Sequence, residues 1–366
     1  MRFVQLLSLA VLGMLLSARP APADRLVLFA GGAEERDGIP ATEALLVQPF
    51  SIEFDKPGNA WIVELGGNRL LKVGEAGTLS VVAGKLREKS AGTLPNESGD
   101  GGPARDARLN GPHNLVVHPS GDVYIADTWN NRVRRYDPRT GTISNFAGTG
   151  KKAYAGDGGP ALEADFDGIY CIAFDPKFEK LYVTDLGNRR IRAIDMATGN
   201  VELVAGNGMK GVPDDGADAK TAPLFDPRAC AADAQGNVYL LERSGHALRV
   251  VDSAGKIRTV AGTGQGGNTG DGGDARQATL NGPKHLIVDA NGDVIIADSS
   301  NHVVRKYSPA DGRIVRLAGT GQRGKGPAGR DPLETDLNEP HGVYLDSKGK
   351  LYIADSMNDR VLRLEK

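Results

Sequence analysis

"LNGPHNLVVHPSGDVYIADTWNNRVRRYD", residues 109–137, is a phrase the chain writes more than once. "LNGPKHLIVDANGDVIIADSSNHVVRKYS" begins at Leu280 and "LNEPHGVYLDSKGKLYIADSMNDRVLRLE" at Leu337. Self-similarity on this scale marks a repeat architecture. The acidic residue closing the "VYIAD" strand serves as a ruler: Glu64, Asp127, Asp185, Glu242, Asp298 and Asp355, in steps of 63, 58, 57, 56 and 57 residues. A second ruler is "AG" after a short apolar strand, at Ala83, Ala147, Ala205, Ala261 and Ala318. Six acidic marks have five "AG" marks after them. The sixth stands at the other end of the chain, in "RLVLFAGG" from Arg25.

Each unit reads as four strands by alternation and turn punctuation. In the second unit they are "HNLVVH", "VYIAD", "RVRRYD" and "TISNFAG", with "PSGD" and "PRTGT" as turns, where Gly and Asp adopt conformations other residues resist. A small antiparallel sheet cannot bury both faces alone, and radial repetition solves this because each blade packs on its neighbours. The last unit stops at "VLRLEK", one strand short, and "LVLFAG" near the start is the spare. These patterns predict an all-β, six-bladed β-propeller whose last blade is closed by the N-terminal strand.

"GDVYIADTWNNRVRRYD", "EKLYVTDLGNRRIRAID" and "GKLYIADSMNDRVLRLE" resemble NHL repeats, which place Asp, then Asn, then Arg-Val after a strand of this kind. The resemblance covers nearly all of the chain after the leader, and it implies the same six-bladed propeller. Ala247 and Val303 stand where the fourth and fifth units should carry the Arg. The recurrent acid and base, Asp127 with Arg132 and Asp355 with Arg360, read as a structural bridge.

The first residues, "MRFVQLLSLAVLGMLLSARPAPADR", have the form of a secretory leader: Arg2, an apolar run from Val4 to Leu16, and the small-x-small site Ala21-Pro22-Ala23. The predicted division is therefore a signal peptide over 1–23 and one propeller over 24–366, exported to the periplasm or the cell exterior. The alternative is an uncleaved anchor. No later segment reaches the ~20 apolar residues of a membrane-spanning helix, so no membrane insertion follows cleavage. Removing Arg2 and Arg19 takes the 44 basic residues to 42, against 46 acidic ones. That balance argues against a nucleic-acid partner. Cys171 and Cys230 fall near the same point of successive units; an exported pair invites a disulfide, and the competing and favoured reading is two small buried hydrophobes.

After each "AG" comes a glycine-rich excursion, such as "SGDGGPARDARLNGP" from Ser98, "GDGGPALEADF" from Gly156 and "GDGGDARQATLNGP" from Gly270. A calcium loop needs several oxygen ligands at alternating positions, and one Asp per loop (Asp100, Asp157, Asp271) does not supply them. The Asp is expected instead to cap a short helical turn. "GTGQGGNTGDGG" from Gly262 lacks the strand-to-helix context and the Gly-Lys-Ser/Thr of a phosphate loop.

Aligned on their turn glycines, the units carry a variable letter at the start of the innermost strand: Phe50, His113, Tyr170, Arg228, Lys284 and His341. The next position reads Ser51, Asn114, Cys171, Ala229, His285 and Gly342. A packed position would repeat aliphatic residues, whereas the first collects imidazole, phenol, guanidinium and ammonium. Convergent polar groups at a concave mouth are the default binding site. "GPHNL" and "EPHGV" also resemble the zinc-binding strands of the peptidyl-hydroxyglycine amidating lyases, which are propellers of the same type. That resemblance implies zinc on three histidines from alternate blades. His113 and His341 match; the third place holds Arg228, which cannot ligate zinc. His285 is one residue deeper and is expected to point elsewhere by strand alternation. The gluconolactonase group needs carboxylates at these strands, and Glu53 lies three positions past Phe50, off the mouth.

Charge logic then favours a cationic bowl of Arg228 and Lys284, with His113, His341, Tyr170, Phe50, Asn114 and His285 around them. Arg suits bidentate recognition of carboxylate or phosphate. The expected function is a non-catalytic binding module, monomeric and without a cofactor, that takes a small anionic ligand or an acidic group of a protein or peptide partner. The alternatives are a metal-dependent lyase or hydrolase using His113 and His341, with zinc or calcium as the metal, and a structural envelope module.

Overall fold

The computed structural model describes residues 24–86 and 99–366; the expected leader lies outside them. Six antiparallel sheets surround one axis. From the inner strand outward, blade two comprises Pro112–Val117, Val123–Asp127, Arg132–Asp137 and Thr142–Ala147. Blades one, three, four and five repeat this order from inner strands that begin at Pro49, Ile169, Pro227 and His285. Blades one and four gain an outer two-residue strand, Ile39–Pro40 and Ala217–Asp218. Blade six is made of Gly342–Leu345, Leu351–Asp355, Arg360–Glu365 and, from the other end of the chain, Arg25–Ala30. Arg25 faces Glu365 and Leu28 faces Leu362 in that last pairing. The six-blade count and the closing strand are as the sequence predicts. Apolar cores fill the spaces between neighbouring blades; Leu241 and Leu248 of blade four, for example, pack with Leu286 and Ile296 of blade five.

The repeat acids are the nodes that hold each blade together. Asp127 accepts hydrogen bonds from the Asn110 backbone N–H at 2.7 Å and from Asn130 Nδ2 at 2.8 Å. Asp185, Asp298 and Asp355 do the same with Asn188, Asn301 and Asn358. The basic partner is not the one the repeat pattern suggests. Asp127 pairs with Arg134 rather than Arg132, whose Nη2 donates to the Thr149 carbonyl. Asp185, Glu242 and Asp298 likewise pair with the residue seven later, Arg192, Arg249 and Arg305. Only Glu64 and Asp355 use the residue five later, Arg69 and Arg360, because Leu71 and Leu362 occupy the deeper place. This explains Ala247 and Val303: with Arg249 and Arg305 in position, the nearer basic residue is dispensable.

The glycine-rich loops correct a second expectation. The short turns Ala104–Asp106 and Ala161–Glu163 have no side-chain cap, and Ala275–Gln277 is capped by Asp274 instead of Asp271. Asp100, Asp157 and Asp271 reach inward to the buried guanidinium groups of Arg134, Arg192 and Arg305, each at 2.7–2.8 Å. Arg192 also donates to the carbonyls of Asp165 and Ala155. Such bonds replace the water that a buried cation gives up. The loops are thus clamped to their blades by charge.

Candidate functional site

A β-bulge opens the inner strands of blades one to four. Pro49 pairs with Glu64 and Ser51 with Val63, so Phe50 between them has no partner; His113, Tyr170 and Arg228 sit in equivalent bulges. A bulge sets two residues against one and re-aims a side chain. The two residues that begin each inner strand therefore contribute successive tiers of the channel, and alternation resumes below them. His285, expected to point away, instead meets Asn114 on the channel axis, with its Nε2 3.2 Å from Asn114 Nδ2.

Each mouth residue is aimed by the one two places earlier, which has a left-handed backbone: Gln48 (φ 53°), Gly111 (58°), Gly168 (73°), Gly282 (54°) and Glu339 (45°). The backbone N–H there is held by the preceding blade. Asn68 Oδ1 accepts from Gly111, Asn131 Oδ1 from Gly168 and Asp359 Oδ1 from Gln48, all at 2.8 Å, and the Nδ1 atoms of His246 and His302 accept from Gly282 and Glu339. Blade four departs. The residue that should accept is Arg189, and Asp226 turns to Arg243 (2.9 Å) and Ser244 (2.6 Å).

The six variable residues do converge. His341 stacks on Phe50 with ring centroids 3.7 Å apart, Phe50 meets His113 edge-on at 5.2 Å, and His113 meets Tyr170 at 4.5 Å. The Arg228 guanidinium lies 4.6 Å from the Tyr170 ring centroid. Lys284 is bonded to Glu339 at 2.9 Å. Trp129 stands beside His113, its ring 5.9 Å away and 43% exposed. This end of the channel is a packed aromatic arc with two cations, narrower than an open bowl.

Arg228 is the unbalanced group. It is 5% exposed, its Nη1 donates weakly to the Tyr170 carbonyl at 3.4 Å, and its Nε is buried with no partner. Among the described residues no carboxylate lies within ion-pair distance of it. Burial first, and then the Arg243 charge, push it down to about 10. Burial also holds His113 and His341 well below the usual histidine range, with Arg228 and Lys284 adding to the effect. Both rings are neutral. The Nδ1 of each lies 2.8–2.9 Å from a backbone carbonyl, of Gly111 or Glu339; a carbonyl only accepts, so Nδ1 carries the proton and Nε2 the lone pair. Two such nitrogens do not make the three-histidine zinc site of the amidating lyases. Arg228 fills the third place with a cation, and no group of three metal-binding side chains occurs among the described residues.

One tier deeper the channel is closed. Asn114 Nδ2 donates to Ser51 Oγ at 3.2 Å, Asn114 Oδ1 accepts from the Ile172 N–H at 2.9 Å, and His285 Nδ1 accepts from the Val343 N–H at 3.3 Å. Cys171 and Cys230 adjoin this plug as buried free thiols; Thr184 Oγ1 donates to Cys230 Sγ. Below lies a cavity of about 1040 Å³. Its walls are the next inward tier, Glu53, Val116, Ala173, Ala231, Ile287 and Tyr344, with Phe174 and Phe178 outside them. The candidate set thus divides: Phe50, His113, Tyr170, Arg228, Lys284 and His341 form the mouth, while Asn114 and His285 form a partition whose far side faces this larger space. The signal for the cavity was Glu53, the one charged letter in its tier.

The teneurin NHL domain family matches residues 31–137 and 161–269, and the NHL repeat matches 337–364. The chain is 26% identical over 289 residues to the Arabidopsis thaliana protein SUPPRESSOR OF QUENCHING 1, chloroplastic, covering 74% of this chain and 26% of that protein. It is 28% identical over 291 residues to mouse Teneurin-3, covering 72% of this chain and 10% of the other. A solved auxiliary nutrient binding protein from Bacteroides thetaiotaomicron superposes with a TM-score of 0.67 at 14% identity, over 93% of this chain and 76% of that one. At that identity the likeness is one of fold.

Proposed function

We propose that this chain, which belongs to the teneurin NHL domain family of NHL-repeat β-propellers, is an exported binding module whose narrow mouth holds an anionic group of its ligand or partner. The observation that carries this reading is Arg228, a buried cation without a carboxylate and with its Nε unpartnered. A buried charge left unpaired is costly, and a carboxylate or phosphate brought to the Tyr170–Arg228 edge would complete its bonds. Lys284 adds charge on the neighbouring blade, although Glu339 already shares it. Exposed Trp129 beside His113 offers apolar surface to the side chains of a peptide. The superposable Bacteroides protein is described as a nutrient binding protein, which agrees with a binding role. Export rests on residues 1–23.

The test is calorimetric titration of the full chain with inorganic phosphate, acetate and a short peptide with a free C-terminus. At least one should bind, more weakly as salt rises, and Arg228→Ala should weaken it ten-fold or more while the fold persists by circular dichroism. A chain that binds none of them, or binds equally well without Arg228, defeats the proposal.

A further inference from the structure

We infer that the cavity at the opposite end of the channel is a second, separate binding site, for an apolar ligand bearing one amine, with Glu53 as the group that receives the amine. Its volume, about 1040 Å³, accommodates a drug-sized molecule. The inner walls are mainly apolar, with Val116, Ala173, Phe174, Ala231, Ile287 and Tyr344 lining it. Such a lining takes up hydrocarbon or an aromatic ring. One carboxyl interrupts it. Glu53 Oε2 accepts a 3.0 Å bond from the Val117 N–H, and no side-chain cation pairs with it among the described residues. Burial raises its pKa to about 8, only partly opposed by that bond. An ammonium group inside the cavity would displace the Glu53 proton and pair with the carboxylate that remains.

The rim selects the same sign. Asp24, Asp175, Asp289, Asp331 and Asp346 border the cavity, against Arg316 and Lys366. Arg316 is already paired with Asp271 at 2.9 Å. His285 on the floor accepts from the Val343 N–H through Nδ1, and Tyr344 beside Glu53 keeps its hydroxyl proton, its pKa raised by burial and by the Glu53 charge. The propeller is therefore polarised along its axis, cationic at the narrow mouth and acidic at the wide one. A charge-bearing apolar molecule entering from the wide end meets attraction at the rim and a single acceptor inside.

Three probes of one shape separate the outcomes: 4-phenylbutylamine, 4-phenylbutanol and 4-phenylbutanoate, titrated calorimetrically into the full chain at pH 7. The amine should bind at one site and at least ten-fold more tightly than the other two. Titration in buffers of different ionisation heat should show close to one proton released per amine bound, because Glu53 must ionise to pair with it. Glu53→Gln should remove both the preference and the proton release. Ala231→Phe, which fills the space from the neighbouring wall, should abolish binding while leaving Glu53 in place. Arg228→Ala, at the other end, should leave the amine affinity and the proton release as they are. Failure of the amine to bind, equal binding of the alcohol, or amine binding that survives Glu53→Gln each overturns the inference, whatever anions do at the narrow mouth.

Discussion

The Glu64 carboxylate fills the space that a β-carbon on Gly67 would need: Oε2 lies 2.0 Å from that point. Blade four repeats the relationship with Glu242 and Gly245, whereas the other four blades use Asp with Asn three residues later. The longer acid and the missing side chain are one substitution in two parts. Glu reaches the loop N–H and the Arg by itself, as the 2.8 Å bond from Val47 N and the 2.6 Å bond from Arg69 show. Gly67→Asn alone should therefore cost about 1–3 kcal/mol through overpacking. Adding Glu64→Asp should recover most of that loss, a coupling that urea denaturation of the two single variants and the double variant measures.

The deeper arginines bear more of the stability than the arginines of the repeat signature. Arg192→Met should cost about 3–5 kcal/mol, because it leaves Asp185 buried without its cation, and it should free the loop holding Asp157. Arg132→Met removes a single bond to the Thr149 carbonyl and should cost about 1 kcal/mol. Equal losses in thermal or chemical denaturation would contradict the assignment of the bridge.

The mouth histidines set a direction for acid sensitivity. Their folded pKa values lie below 6.5, so the unfolded chain binds their protons first as pH falls. Stability is thus intact above about pH 6.5 and is lost on acidification below it. Asp185 and Asp298, raised by burial to about 6, act in the opposite sense, since their folded forms take up protons early. Comparing the wild type with His113→Gln/His341→Gln cancels that opposing contribution. The variant should lose less stability between pH 7 and pH 5.

Closure of the ring depends on six residues. Leu26 is fully buried between blades five and six, and Leu26→Ala should cost about 2–5 kcal/mol. Deleting residues 25–30 exposes the whole edge of Arg360–Glu365. Unpaired edges recruit other strands, so size-exclusion chromatography should show concentration-dependent association.

Much of this was legible in the sequence because it is written locally. Turn glycines, alternating strands and the spare "LVLFAG" gave the blade number and the seam, and alignment on the glycines found the mouth residues. What escaped depends on distant partners or on backbone irregularity. Asp100 meets Arg134 across 34 residues, which no local pattern distinguishes from a cap. The orientation of His285 follows from the head of its strand, where the Lys284 N–H bonds to the Ala297 carbonyl and His285 also pairs with Ala297, a feature of pairing rather than of composition. The wide cavity arises from small side chains such as Ala173 and Ala231 in one tier, and absence of bulk is hard to read without the ring that surrounds it.

The seam in blade six also fixes how the molecule can be tethered. Arg25 and Glu365 are paired neighbours, and Asp24 and Lys366 both border the wide opening. A polypeptide spliced after Lys366 leaves from that face. A propeller held by its C-terminus on a surface or a larger assembly would accordingly present the Arg228 face outward, with the Glu53 chamber turned towards whatever holds it.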